Sequence, residues 1–278
     1  MLFWIFIAAS VCGAAWCCVH FGWYLGVLSL WKPVLTAMGL FAALVLAFVI
    51  LVVVSAAVVD RSKPSQRYSA YYRWLAQEII SLGLVFSRVH VHGTGVQNVP
   101  KQGRYLLVVN HLFNLDPAVC LQVLKHERLA FVSKKENEKI PIVGQVMHKI
   151  LCLSIDREND RAALKTIVKA SQYLKEDKTS IAIFPEGYVS KTGVLQPFRN
   201  GAFKIAQKAQ VPVVVGVLTN TKAILKNMFR RRCDVYFDIL QTIPASQVQS
   251  LSSKELGDQV RSIMEAGIAA RAAAMHGA

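Results

Sequence analysis

Residues 1–59 carry a single formally charged side chain, Lys32, whereas the 219 residues that follow hold 31 of the 32 Lys and Arg and all 17 Asp and Glu. A run this long with one charge is not the core of a small soluble domain; it reads as membrane-embedded. The rest, at about 22% charged and net +14, has the balance of an ordinary globular domain. The chain therefore divides into a membrane anchor, residues 1–60, and a basic catalytic-size domain. Collagen-like, disordered and disulfide-framework classes are excluded. The six cysteines form no C-x-x-C or Cys/His spacing, so no metal site is expected, and reduced thiols suit a cytoplasmic setting.

Two apolar runs, 2–31 and 34–59, flank Lys32-Pro33, and this dipeptide is expected to divide them. As a helix the second run, 26 residues, spans about 39 Å against roughly 30 Å of hydrocarbon. The two runs suggest a transmembrane helical hairpin; one span plus a re-entrant segment is the alternative. Arg61, Lys63, Arg67, Arg73 and Arg88 follow the second run, so the positive-inside bias puts the domain on the cytoplasmic side of the cell membrane. Residues 61–87 form a connector, in which 68–87 read as an amphipathic, aromatic-rich helix. It covers the core, lies in the headgroup layer, or does both.

From residue 88 onward, strand-like and helix-like stretches alternate. Strands are expected at 88–93, 104–110, 129–133, 151–155, 180–184, 211–218 and 233–240. Helices are expected at 117–126, 142–149, 160–176, 200–209 and 221–229. The fold class is α/β: one domain over 88–245 with a mixed sheet flanked by helices. Residues 246–278 supply a C-terminal helix and tail.

Two motifs stand at ends of apolar strands. In Asn110-His111-Leu112-Phe113-Asn114-Leu115-Asp116-Pro117, Asp116 either caps the helix that follows or folds back to hold the His111 imidazole. In Phe184-Pro185-Glu186-Gly187, the Pro and Gly suit a simple turn, and Glu186 suits a second polar group delivered into one cleft. Lys134, Lys135, Arg157, Lys191, Arg199 and Lys204 are candidate anion ligands. Arg157 stands out because it closes an apolar run and a guanidinium grips phosphate bidentately. The basic excess reads as attraction to anionic lipid headgroups, and no nucleic-acid partner is expected. No G-x-S-x-G elbow, H-E-x-x-H or P-loop occurs, and Gly93-Thr94-Gly95 lacks the third glycine of a dinucleotide fingerprint. His90 and His92 read as surface or packing residues.

Together, N-H-x4-D at 110–116, I-P-x-x-G at 140–144 leading to S-I-D-R at 154–157, F-P-E-G at 184–187 and V-P-V-V-V at 211–215 resemble the bacterial 1-acylglycerol-3-phosphate (lysophosphatidate) acyltransferases of the glycerolipid acyltransferase superfamily. The resemblance implies an acyltransferase that moves a fatty acyl group from acyl carrier protein or coenzyme A to a lysophosphatidate hydroxyl, with no cofactor. It implies His111 as general base and Asp116 as its orienting partner. Arg157 would hold the acceptor phosphate, Glu186 and Gly187 would line the acceptor, and Lys134 or Lys135 would assist. The chain departs from the family at Tyr188-Val189, where Thr-Arg is usual. Lys191 or Arg199 is expected to supply the missing cation. Other readings are an acyltransferase for another lysolipid or polyol lipid, and a non-catalytic, membrane-tethered binder of anionic lipid.

Overall fold

The computed structural model describes residues 2–26, 29, 31–156, 159–190 and 192–276. The chain falls into two compact units, Met1–Asp60 and Arg61–Ala278. In the first, α1 (Leu2–His20) and α2 (Trp31–Ala57) pack as a hairpin, with ring contacts Phe3–Phe41 at 6.0 Å and Phe6–Phe48 at 6.4 Å. Both helices are long and apolar enough to cross a membrane. Large apolar side chains such as Trp16, Leu46 and Val53 point outward, as in lipid-facing helices. Ser10 satisfies its hydroxyl on the Phe6 carbonyl one turn back, at 2.7 Å. The expected divider needs correcting: Lys32 and Pro33 lie inside the first turn of α2, and the break falls between His20 and Trp31. A proline is tolerated there because N–H groups of a first turn have no intrahelical partner.

The second unit is built on a seven-stranded mixed sheet: β1 (Val89–Thr94), β2 (Leu106–Val109), β3 (Leu129–Lys134), β4 (Leu153–Ile155), β5 (Ser180–Ile183), β6 (Val213–Thr219) and β7 (Cys233–Ile243), in the order β1-β7-β6-β2-β5-β3-β4. Strands β6, β2, β5, β3 and β4 run parallel; β7 runs antiparallel to β6, and β1 runs parallel to β7. The expected strands all form, with ends shifted by up to three residues.

Alternation along the central strands divides their side chains between two core layers. Leu106, Val108, Ile181, Ile183, Val213 and Val215 face one; Leu107, Val109, Ala182 and Val214 face the other. Both faces are buried, hence the nearly continuous apolar composition. The first layer is closed by α6 (Asp160–Lys175), α7 (Lys204–Ala209), α9 (Ala245–Ser250) and α10 (Ser253–His276). The second is closed by α3 (Ala70–Phe86), α4 (Asp116–Val123) and α8 (Ala223–Asn227). The remaining helix is α5 (Val143–Lys149), between β3 and β4. The helix expected over 200–209 is interrupted: a 3₁₀ turn, Asn200–Ala202, precedes α7. Asn and Gly are weak helix formers, and here they open a tighter turn.

In α3, capped by Ser69, Tyr72, Leu75 and Ala76 are buried while Tyr71, Trp74, Val85 and Phe86 stay exposed. Arg73 is a correction to the reading of a flanking cation. It is buried and donates from Nη2 to the carbonyls of Leu121 (2.8 Å) and Leu124 (3.2 Å), closing the end of α4. His92 bonds Asp234 at 2.7 Å and stacks on Tyr236, on the edge strand.

Candidate active site

Five parallel strands release their C-terminal ends at one edge of the sheet, and the conspicuous motifs follow those ends. Around the central pair β2 and β5 the order of strands reverses, the position at which open α/β sheets form clefts. Asn110 fixes the end of β2 against β6. Its Nδ2 donates to the Leu218 carbonyl at 3.1 Å, and its Oδ1 accepts from the Leu218 N–H at 2.7 Å.

The next turn answers the question left open for Asp116. It is the first residue of α4, fully buried, and its Oδ2 accepts from the N–H of Leu112 (2.6 Å), the N–H of Phe113 (2.8 Å) and His111 Nδ1 (2.9 Å). Asp116 therefore closes the loop that precedes its helix and holds the imidazole in the same stroke. An oxygen that accepts two backbone N–H groups acts as an acceptor, so Nδ1 is the donor in this contact. The imidazole is stacked on Phe184, centroids 4.1 Å apart, and its side chain remains 13% exposed. The imidazole is thus oriented by a buried carboxylate and left partly accessible.

The loop after β5 grips the same histidine by its backbone. Glu186 Oε1 accepts the His111 N–H at 2.7 Å, Oε2 accepts the Gln196 N–H at 2.8 Å, and the Ser190 N–H donates to the His111 carbonyl at 2.8 Å. Both Glu186 oxygens are thus engaged with backbone amides, making it a clamp between two loops. Burial pushes its carboxyl above the ordinary 4.5, while those N–H groups and His111 pull the other way. Gly187 has φ +80, a left-handed conformation that favours glycine, and a Cβ there would lie 2.9 Å from Arg199 Nε. Arg199 therefore lies directly over Gly187, and its N–H donates to the Pro185 carbonyl at 2.8 Å.

Lys134 ends β3 and Lys135 begins the next 3₁₀ turn; both are exposed at the same sheet edge. That turn is compact because Gly144 lets the Glu138 carbonyl approach to where a Cβ would be, and Arg61 caps the same carbonyl. Arg157 and Lys191 lie outside the described residues. Lys204 opens α7 and is exposed. A cavity of about 250 Å³ lies by β4 and α6, lined by His148, Ser154, Lys165 and Thr166 among others, and includes none of the His111 loop. Among the described residues no group of three or more His, Cys, Asp or Glu is placed to hold a metal ion. Sequence reasoning missed Phe184 as the floor under the imidazole and Ser190 as a backbone anchor. Only the position of Phe184 beside Pro-Glu-Gly hinted at the former.

A family profile described as "Acyltransferase" matches residues 88–218. The 1-acyl-sn-glycerol-3-phosphate acyltransferase of Escherichia coli is 34% identical over 168 residues, covering 60% of this chain and 68% of that protein. The Saccharomyces cerevisiae protein of the same name is 28% identical over 175 residues, covering 61% of this chain and 57% of its own length. The crystal structure of the 1-acyl-sn-glycerophosphate (LPA) acyltransferase PlsC from Thermotoga maritima shares the fold, with TM-score 0.62, 23% identity and coverage of 80% and 88% of the two chains. With the sheet, the paired apolar helices and the sequence match in agreement, the chain belongs to the 1-acyl-sn-glycerol-3-phosphate acyltransferase family, a class of acyl-transferring enzymes.

Proposed function

We propose that this protein transfers a fatty acyl group from a thioester, carried on acyl carrier protein or coenzyme A, to the free hydroxyl of 1-acylglycerol-3-phosphate, giving phosphatidic acid at the membrane. The observation that carries the reading is the His111–Asp116 pair, a 2.9 Å contact in which the carboxylate oxygen is also held by two backbone N–H groups. That arrangement leaves Nε2 as the base. As the acceptor oxygen attacks the thioester carbonyl, His111 takes the hydroxyl proton. The C–S bond then breaks, and the proton passes to the departing thiolate. Asp116 stabilises the imidazolium formed in between. The bound hydroxyl is the nucleophile, so neither a covalent acyl-enzyme nor a cofactor is required.

Cations at the same sheet edge serve the acceptor phosphate. Arg199 is the best supported of the described residues, because it lies over Gly187 and follows the loop that clamps His111. It stands in for the Arg that this chain lacks at Val189. Lys134 and Lys135 assist; Arg157 and Lys191 are assigned to the same group from sequence alone. Glu186 and Gly187 shape the loop that faces the acceptor. The catalytic domain lies on the cytoplasmic side, where Arg61, Lys63, Arg67 and Arg88 follow the second apolar run. Purified full-length protein given acyl thioesters and a panel of lysolipids, read by mass spectrometry, tests the assignment. Acylation of lysophosphatidate, with Arg199→Ala raising its KM but leaving a phosphate-free acceptor unaffected, is the expected result. Equal turnover of the phosphate-free acceptor overturns the substrate and favours another lysolipid.

A further inference from the structure

From Gly187 through Cys233 the chain contains nine Lys and Arg and no Asp or Glu. The last part of this stretch forms α8 and the turn after it. Ile224 is buried there, and Ala223 and Met228 pack against the core layer that also contains Phe113 and Phe184. Leu225 and Phe229 face the other way, 68% and 67% exposed. Phe229 has φ +64, a conformation bulky residues rarely adopt, and the turn around it is closed by Arg230 and Arg231 N–H groups on the Asn227 carbonyl, at 2.9 and 3.0 Å. The turn thus holds a large aromatic outward. Lys226, Arg230 and Arg231 are exposed and adjoin Leu225 and Phe229 in the chain; Arg232 is tied to Asp234 at 2.8 Å.

The location matters as much as the composition. Because β6 runs parallel to β2, α8 emerges at the sheet edge that carries His111, and Asn110 bonds Leu218 only a few residues before α8. Leu115 and Val194, on the two loops of that edge, are also exposed apolar residues. Two apolar side chains on a one-turn helix fall well short of the roughly 800 Å² per partner that a stable protein interface needs. They do suit insertion into a headgroup layer assisted by cations.

We propose that α8 and its following turn dock the catalytic domain onto an anionic bilayer, with Leu225 and Phe229 entering the headgroup–acyl boundary and Lys226, Arg230 and Arg231 meeting lipid phosphates. Docking would hold the His111 edge against the surface that supplies lipid; that purpose, though not the docking itself, rests on the function proposed above. The probe is hydrogen exchange of the full-length chain in nanodiscs of phosphatidylcholine alone or with phosphatidylglycerol, followed in peptides covering 222–232.

Exchange in that segment should slow severalfold when phosphatidylglycerol is present, with β2 and β5 unchanged. Each of Lys226→Gln, Arg230→Gln and Arg231→Gln should weaken docking by about fivefold. The double variant Leu225→Ser/Phe229→Ser should abolish the protection. It should also raise the KM for bilayer lysophosphatidate while sparing a soluble short-chain acceptor. Identical exchange in the two lipids overturns the proposal. So does protection that appears only on adding an acidic carrier protein, which would make the tip a protein dock. Lipid-dependent protection in a protein that acylates no lysophosphatidate leaves docking standing and overturns the substrate assignment instead.

Discussion

The two loops that build the candidate active site are made in opposite ways. After β2, the bonds that define the loop are local: Asp116 Oδ2 collects His111, Leu112 and Phe113, three to five residues away. After β5, the defining bonds are distant. Glu186 reaches His111 across 75 residues, and Arg261 of α10 holds the Gln196 and Leu195 carbonyls at 2.9 and 3.1 Å from 65 and 66 residues away. The first loop can organise as soon as its short segment meets itself, whereas the second requires the assembled sheet. The hydrogen bond that orients the imidazole thus comes from one loop, while the other grips its backbone and supplies Phe184 beneath the ring.

The widest separation between the loops should come from the imidazole. His111→Ala should lower kcat by roughly 10²–10⁴-fold with folding intact, since it removes the proposed base and leaves the backbone grip in place. Thermal unfolding and single-turnover rates together check this; retention of more than about a tenth of wild-type turnover would exclude a general-base role.

Glu186→Gln tests the distant loop. An amide turns one donor toward either the His111 or the Gln196 N–H, leaving a buried group unpaired at about 1–3 kcal/mol. Stability and kcat should both fall, the latter because His111 shifts. The pH dependence has a definite sign. Burial raises the folded-state pKa above the ordinary 4.5, so the neutral acid is favoured by folding. The associated stability is fully present below that value and is lost as the pH rises through the raised one. The wild-type advantage in Tm over Glu186→Gln should accordingly shrink from below 4.5 toward neutrality. A difference that does not change with pH would dismiss burial as its cause.

Gly187→Ala should have an effect of similar or smaller size. The left-handed backbone disfavours a Cβ by about 1–2 kcal/mol, and the added atom displaces Arg199. A rise in KM for the phosphate-bearing acceptor that exceeds the fall in kcat is expected; a pure kcat defect would separate Arg199 from substrate. Ser190→Ala should be smallest. It removes a hydroxyl that donates to the Val194 carbonyl at 2.7 Å and accepts the Gly193 N–H at 3.0 Å, about 0.5–1.5 kcal/mol, while the Ser190 N–H still holds the His111 carbonyl. Loss of activity comparable to that of Glu186→Gln would show that the interior of the loop matters as much as its anchors.

What could be read before folding follows the same division. The seven strands were legible because apolar residues come in short runs bounded by turn formers, and although ends moved by up to three residues, Asn110 and Phe184 are the ones that leave the ladder to serve the loops. The helix α9 went unseen because its six residues, Ala-Ser-Gln-Val-Gln-Ser, bury only Val248 and carry almost no periodicity. Lys32-Pro33 reads as a divider because charge and proline usually punctuate, yet both fit a first helical turn. Arg73 reads as a flanking cation because nothing near it in sequence announces the α4 carbonyls it closes, 48 and 51 residues away.

By itself the sequence determined three things about this protein: an almost uncharged N-terminal pair of helices, an α/β domain after it, and His111 and Asp116 as neighbours in one short turn, with the role of Asp116 left open. Each rests on composition, on periodicity, or on bonds spanning at most five residues. The tertiary structure alone decided that Glu186 clamps the His111 backbone, that Arg199 covers Gly187, that Arg73 is buried, and that Leu225 and Phe229 stand out at the same sheet edge. Periodicity dictates which face of a strand is buried but not which strand lies beside it. Only the parallel pairing of β2 with both β5 and β6 brings residues about 75 and 108 positions apart into hydrogen-bonding distance.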